Sequence, residues 1–511
     1  MKRNALTYLL LPFLLALLVT ACKDDTLPAS PAEEEEAGSG VYVSVVVNTG
    51  GSNASRVPTP GEDGDLPKQP GTGDENMVHD LTVFFLDDDL NNATTINASA
   101  YFSEKEITPE ASGNITRYTV QKEIEGLYVG NTYHVLVIAN AGDLTNEITD
   151  IEGLKNKTFN EVIVTHDTEQ WFLMASEKDS GEIEIRANNS EYNPTWVTVN
   201  VERMTARVDC AWEDKYEVSG GNMPSEGGNP NQNEKDKVKI LGAALVNRYA
   251  GDTYAFKRVT DDTDLNTENV NLNYLGDETR EYGTTGDASN YVLDPLTISG
   301  KNNSDYTYYY MEYVNWDIEN DFANPKNNVT SEQEGRTYYC LSYARENINT
   351  TEQLSETEEN ERVGIQKYAT GIMFKAQYTP AGFPEGETFY RYMSLNGSGL
   401  TLYTAEALMD AFPDTFTEEN QSAWGDIDGC DVFLNGWCYY VYWIRHAEDN
   451  SGNISPMEYA MVRNNIYQLY VNSISQLGTP EPDSNVEEIN TEVHFQVKPW
   501  NIKNIEVPVF D

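Results

Sequence analysis

Residues 41–47 read Val-Tyr-Val-Ser-Val-Val-Val. β-Branched side chains at this density disfavour a helix, and Val41, Val43, Val45 and Val47 fall on one face of an extended chain. The segment is therefore predicted to be a strand with an apolar face. Runs of the same kind recur along the 511 residues. They include Leu81–Leu86, Tyr118–Val120, Thr132–Ala139, Ile183–Ile185, Thr195–Asp209, Lys237–Val246, Tyr306–Tyr313, Thr337–Ala344, Thr370–Tyr378, Val432–Trp443, Ile466–Ile474, Val493–Lys498 and Ile505–Phe510. Gly (36 residues) and Pro (21 residues) punctuate them, and 32 tyrosines add to the strand preference. Helices are expected only around Leu154–Thr165 and Leu408–Phe412, the latter stopped by Pro413. Asn435-Gly436 between two apolar runs predicts a two-residue hairpin. The expected class is mainly β, with two tandem antiparallel β-sandwich-like domains and a few short helices. Their expected bounds are 57–200 and 201–511, the latter ending in a separate terminal strand.

The N-terminus reads as an address. Lys2 and Arg3 precede an apolar run, Leu9–Val19, which has the length of a signal peptide. Val19-Thr20-Ala21-Cys22 resembles a lipobox, so cleavage is expected between Ala21 and Cys22, with lipid on Cys22. Residues 1–21 are then the lipoprotein signal peptide and 22–56 a lipidated propeptide carrying the first strand. Lys23-Asp24-Asp25 resembles the signal that exports Bacteroidetes lipoproteins to the outer face of the outer membrane. Residues 26–40, with four consecutive glutamates from Glu33, read as a tether. Membrane contact is expected only through the precursor lipid. After the first strand comes a linker rich in Gly, Pro, Asp and Asn. Its Arg56 is the one arginine between Arg3 and Arg117, in the kind of exposed stretch that proteases cut.

With 34 basic against 83 acidic residues the net charge is −49, which excludes an electrostatic nucleic-acid binder. Five histidines show no paired spacing, and Asp262-Thr263-Asp264-Leu265-Asn266 lacks the glycine and the final glutamate of a calcium loop. No metal or cofactor is expected. The hairpin expected at Asn435-Gly436 sets Cys430 opposite Val441, too far from Cys438 for a bridge, so Cys210, Cys340, Cys430 and Cys438 are expected as buried thiols. Nucleophile elbows and phosphate loops are missing, so no catalytic residue is assigned. Tyr308–Tyr310 and Tyr439–Trp443 could stack on sugars, although such strands more often pack a core. Arg203 and Arg207 are expected to pair with carboxylates between the domains.

A lipobox, an apolar strand, an Arg-bearing linker and two β domains ending in an isolated strand occur here in that order. Together with Val201-Glu202-Arg203-Met204-Thr205-Ala206-Arg207-Val208, Val462-Arg463-Asn464-Asn465-Ile466-Tyr467 and Val497-Lys498-Pro499-Trp500, this order resembles the type V fimbrial shaft pilins of Bacteroidia. The likeness is to the Mfa-type major subunit, with FimA-type fimbrillins as more distant relatives. The resemblance implies a structural pilus subunit, not an enzyme, that supports adhesion at the cell surface. It implies an Arg-specific protease cutting between Arg56 and Val57 to release the first strand. The groove is then filled by the C-terminal strand of another subunit. Ile505, Val507 and Val509 match the spacing of Val43, Val45 and Val47, and Phe510 plugs the groove end. Partners would be further copies of the chain and anchor and tip subunits. A non-polymerising anchor or tip subunit, or a surface glycan-binding lipoprotein, is the alternative.

Overall fold

The structure is a computed structural model and describes residues 40–49, 71, 73–112, 115–166, 168–231, 233–261, 272–276, 290–295, 329–333, 335–348, 369–397, 399–447, 457–482 and 491–499. The expected signal peptide, Ala21 and Cys22, Arg56 and Val57, the acidic loop at Asp262, Tyr308–Tyr310, and Ile505, Val507, Val509 and Phe510 lie outside the described residues.

The N-terminal half builds one nine-stranded sheet from β1 (Val41–Asn48), β2 (Leu81–Leu86), β3 (Ile96–Phe102), β4 (Thr108–Ser112), β5 (Ile115–Ile124), β6 (Thr132–Ala139), β7 (Met174–Ser176), β8 (Ile183–Glu184) and β9 (Thr195–Arg203). The strand order is β3-β2-β6-β7-β9-β1-β5-β4, with β8 on β6. Alternation decides which core each residue enters. Val83 and Phe85 of β2 and Val135 and Val137 of β6 join Val41, Val43, Val45 and Val47 of β1 and the valines of β9 in one core. Phe84 and Leu86 of β2 and Leu136 and Ile138 of β6 face a second core, closed by Leu154 and by Ala255 and Phe256 from the other half of the chain. β2 and β6 are buried on both faces, which is why they read as unbroken apolar runs.

The C-terminal half is a sandwich. One layer holds β10 (Thr205–Trp212), β12 (Val329–Gln333), β13 (Arg336–Arg345), β16 (Asn465–Ile474) and β17 (Thr491–Pro499), in the order β12-β13-β10-β16-β17. The other holds Tyr216–Glu217, β11 (Lys237–Val246), β14 (Gly371–Thr379) and β15 (Trp437–Trp443). Val208, Tyr467 and Leu469 from the first layer meet Val238, Phe374 and Tyr440 from the second. Most ladders are antiparallel; β1–β9, β10–β16 and Ser225–Glu226 with Leu400–Tyr403 run parallel.

Three local expectations are corrected. The run Thr195–Asp209 is two strands, because the chain changes sheet at Met204, whose amide donates to Leu173 O (2.9 Å). The helix near Leu154 is only α1 (Ile151–Asn156), capped by Asp150 on the Gly153 amide (2.7 Å). Beyond it the β-branched Ile163–His166 pairs with Glu169–Phe172 as a strand. Asn435-Gly436 is a turn with both residues at positive φ (54° and 71°), but not a hairpin. Asp431–Phe433 pairs with Phe389–Met393, whereas β15 pairs with β14, so the two flanking runs enter different sheets. A Cβ on Gly436 would lie 2.5 Å from Tyr378 O, so this corner requires glycine. The second helix, α2 (Ala405–Ala411), lies where Leu408 predicted one and is capped by Thr404 on the Ala407 amide (3.2 Å).

Candidate functional site

β1 occupies a slot between two strands distant in sequence. It pairs antiparallel with β5 from Val41↔Ile124 to Asn48↔Arg117, and parallel with β9 from Val43↔Thr195 to Asn48↔Asn200. Val41, Val43, Val45 and Val47 are 4, 0, 1 and 0% exposed and point into the core shared with Val120, Val197 and Val199. β9 starts opposite Val43, so Tyr42 has no strand partner on that side. Asn189 replaces one: its Oδ1 accepts from Tyr42 N (2.6 Å) and its Nδ2 donates to Tyr42 O (2.7 Å). The slot therefore holds β1 through main chain along its length and through apolar pockets at alternate residues. Sequence alternation foretold the pockets; nothing in the spacing could foretell the Asn189 clasp.

The far end of β1 meets a buried arginine. Arg203, 1% exposed at the end of β9, donates from Nη2 to Thr49 O (3.3 Å) and to Asn76 Oδ1, from Nε to Glu75 O (2.7 Å) and from Nη1 to Asn464 Oδ1 (3.1 Å). Asn76 Nδ2 donates in turn to Gly71 O (3.3 Å). The chain leaves the slot at Thr49 and returns at Gly71 on the same pair of side chains. A Cβ on Gly71 would be 2.5 Å from Asn76 Oδ1, so a larger residue at the return point would push the Asn76 side chain aside. Burial pulls the Arg203 guanidinium down to about 10, against the attraction of Glu75.

Beside it Arg207, fully buried, meets Glu75 (2.9 Å) and Asp209 (2.9 Å). Burial alone would depress it, but the two carboxylates outweigh that and hold it above its ordinary value. Tyr343 donates to Glu75 Oε1 (2.7 Å). Arg463 pairs with Glu346 (2.8 Å) and donates to Tyr254 O (2.7 Å), and Lys257 pairs with Glu202 (3.1 Å). Two stretches that carry the family resemblance, 201–208 and 462–467, thus meet at the junction of the two sheets. Arg207 takes carboxylates, as expected. The bonds of Arg203 described above go to carbonyl and amide oxygens, with Glu75 attracting its charge as well: Glu75 turns its carboxylate to Arg207 and its carbonyl to Arg203.

Candidate chemistry elsewhere is muted. Cys210, Cys430 and Cys438 are buried and Cys340 half-buried, all as free thiols. Burial pushes Cys340 and Cys438 up to about 12 and Cys430 to about 11, which keeps them protonated and unreactive. Tyr439, Tyr440, Tyr442 and Trp443 are all buried, so they build core and offer no sugar platform. His134 pairs with Asp179 (2.5 Å) and His79 stacks on Trp171 with centroids 4.0 Å apart. Among the described residues no group of three His, Cys, Asp or Glu side chains is placed to hold a metal ion, and no helix is long and apolar enough to cross a membrane.

Two family models match the chain. Residues 41–239 match the major fimbrial subunit protein (FimA), and residues 431–505 match the C-terminal region of fimbrillin, major fimbrial subunit protein type IV. No curated protein matches by sequence. Similar solved structures include a fimbrilin from Porphyromonas gingivalis (13% identity, 92% of this chain and 100% of that one, TM-score 0.38). Others are a fimbrial assembly protein from Parabacteroides distasonis (11%, 89% and 99%, 0.34) and the fimbrial anchor protein Mfa2 from P. gingivalis (9%, 91% and 100%, 0.24). The first matched segment begins at β1 and runs through the slot and the Arg203 and Arg207 strands; the second contains β16 and β17. The chain belongs to the FimA-type fimbrillins, the major fimbrial subunit proteins, and is a structural component of a cell-surface fimbria, not an enzyme.

Proposed function

We propose that this fimbrial subunit polymerises as a shaft pilin by strand replacement and supports adhesion in that form. The observation that carries the reading is the connectivity of β1. Its neighbours β5 and β9 are not its neighbours in sequence, so no hairpin ties it into the sheet. One cut in residues 50–70 frees the strand, and Arg56 is the arginine that segment contains. The four inward valines contribute roughly 1.5–3 kcal/mol each on burial. Their sum is comparable to the whole stability of a typical domain, about 5–15 kcal/mol. An emptied slot would also expose two strand edges. Release of β1 therefore demands a replacement, and Ile505, Val507 and Val509 of a second copy match the pockets of Val43, Val45 and Val47. Glu506 and Pro508 point away from the core in this register.

The precursor is lipidated at Cys22 after cleavage following Ala21, which anchors it to the outer membrane until the cut between Arg56 and Val57. Cys22→Ala should abolish lipidation and surface delivery. N-terminal sequencing of protein sheared from cells decides between roles: a start at Val57 supports the shaft subunit, and a start at Cys22 an anchor. Arg56→Ala and deletion of Ile505–Asp511 should each leave monomers without SDS-resistant ladders. Normal ladders from the deletion variant would reject strand replacement.

A further inference from the structure

The two ends of β1 are held unequally. At its C-terminal end Asn48 is paired on both sides, with Arg117 of β5 and Asn200 of β9. Its Nδ2 donates to Asn200 Oδ1 (3.0 Å), and Thr49 beyond it is 1% exposed, its carbonyl accepting from the buried Arg203. At the other end the ladder is one-sided. Val41 and Tyr42 pair with β5, whereas the β9 ladder begins at Val43. A side chain closes the second side at Tyr42, the Asn189 amide. Asn189 is carried by a turn and not by a strand. Its main-chain N–H donates to Arg186 O (3.1 Å) and its Nδ2 also donates to Thr195 Oγ1 (3.1 Å). Residues 186–188 and 190–193 on either side are exposed. Chain opens first where few groups part together and those groups sit on exposed backbone. Opening β1 from Tyr42 parts one side-chain clasp and one ladder. Opening it from Asn48 parts two ladders and a buried guanidinium contact.

We propose that Asn189 is the latch of the slot and sets the direction in which the strand leaves, from Tyr42 towards Asn48. The latch reads main chain alone, one N–H and one C=O, so it holds any residue except proline, which lacks the N–H. Lifting Tyr42 frees the Asn189 amide and the adjoining edge of β5 while Val43–Asn48 stay paired. The next step rests on strand replacement. A second strand enters beside Ile124 and Glu123 and displaces β1 residue by residue, so the slot never stands empty along its whole length. The direction of opening belongs to the uncleaved chain and holds whether or not another strand follows.

The test is amide hydrogen exchange in the full, uncleaved chain. The Tyr42 N–H points to the β9 side, and by alternation those of Ser44, Val46 and Asn48 do too. Their protection should rise from Tyr42 to Asn48. Asn189→Ala should lower the protection of Tyr42 by about tenfold, the typical net worth of a hydrogen bond. Phe374 in β14, remote in the ladder pattern, should be unaffected. Tyr42→Ala keeps the main chain and should leave residue 42 as protected as in wild type. Antiparallel pairs whose N–H groups point apart bring Cα atoms to about 4.5 Å, within disulfide reach. Tyr42↔Glu123 and Asn48↔Arg117 are both of this kind. A Tyr42→Cys, Glu123→Cys disulfide should slow exchange at Ser44 by about tenfold or more, and an Asn48→Cys, Arg117→Cys disulfide should leave it within about twofold of wild type. Equal protection along β1, a gradient rising towards Tyr42, or an unchanged Tyr42 amide in Asn189→Ala would overturn the proposal. So would slowing of Ser44 by the Asn48 pair as great as by the Tyr42 pair. A wild type that forms no SDS-resistant ladders would reject strand replacement but not the latch, which the exchange gradient alone upholds or overturns.

Discussion

At the scale of single residues the junction depends on Glu75. Its carboxylate serves Arg207 and Tyr343 while its carbonyl serves Arg203; Glu75 and both arginines are buried and Tyr343 is half-buried. A buried ion pair adds little net stability, but removing one partner strands the other. Glu75→Gln should therefore destabilise the chain by about 3 kcal/mol, read as the loss in urea unfolding, with Asp209 left to hold Arg207. Cys438 gives a pH test. Its thiol is pushed from about 9 to about 12 by burial. Between those values the unfolded thiol ionises and the folded one does not, so unfolding releases a proton and stability falls as pH rises. Between pH 9 and 10 the wild type should lose about 1 kcal/mol more than Cys438→Ala. Parallel slopes in urea titrations at pH 9–10 would contradict this.

At the scale of elements the first strand should matter before cleavage and not after it. Val45→Ala should lower the stability of the uncleaved chain by about 2 kcal/mol, measured by thermal unfolding. Ladders assembled from the same variant should dissociate like wild type, because β1 has left them. Strand segments such as Lys237–Val246 were legible in the sequence because alternation and β-branching are local signals. Partners were not. Asn435-Gly436 announced a turn correctly, but a turn does not say that its two flanks enter one sheet, and here Tyr378 and Phe389 claim different sides. The clasp by Asn189 and the carbonyl of Glu75 were illegible for the same reason: both act on residues more than a hundred positions away. Arg203 and Arg207 stood out because cations are scarce in this chain, which exposed their importance but not which groups they meet.

At the scale of the molecule charge sets the pace of association. The full chain carries a net charge of −49; subunits this acidic repel each other, and salt at 0.15 M cuts the range of that repulsion to about 8 Å. Ladder formation by the cleaved chain should therefore accelerate between 10 mM and 150 mM salt, followed by the rate of monomer loss on gels; a rate that falls would point to an attractive charge contact controlling the encounter. The connectivity of β1 has a consequence in time. Val43 pairs with Thr195, so the first strand to emerge from synthesis is among the last to find its place, after residues up to Arg203 have appeared. Contacts of such high sequence separation close large loops and form late. Under the strand replacement proposed above, the terminal strand of a neighbour would compete for a slot whose β9 wall is missing until residues up to Arg203 have been made.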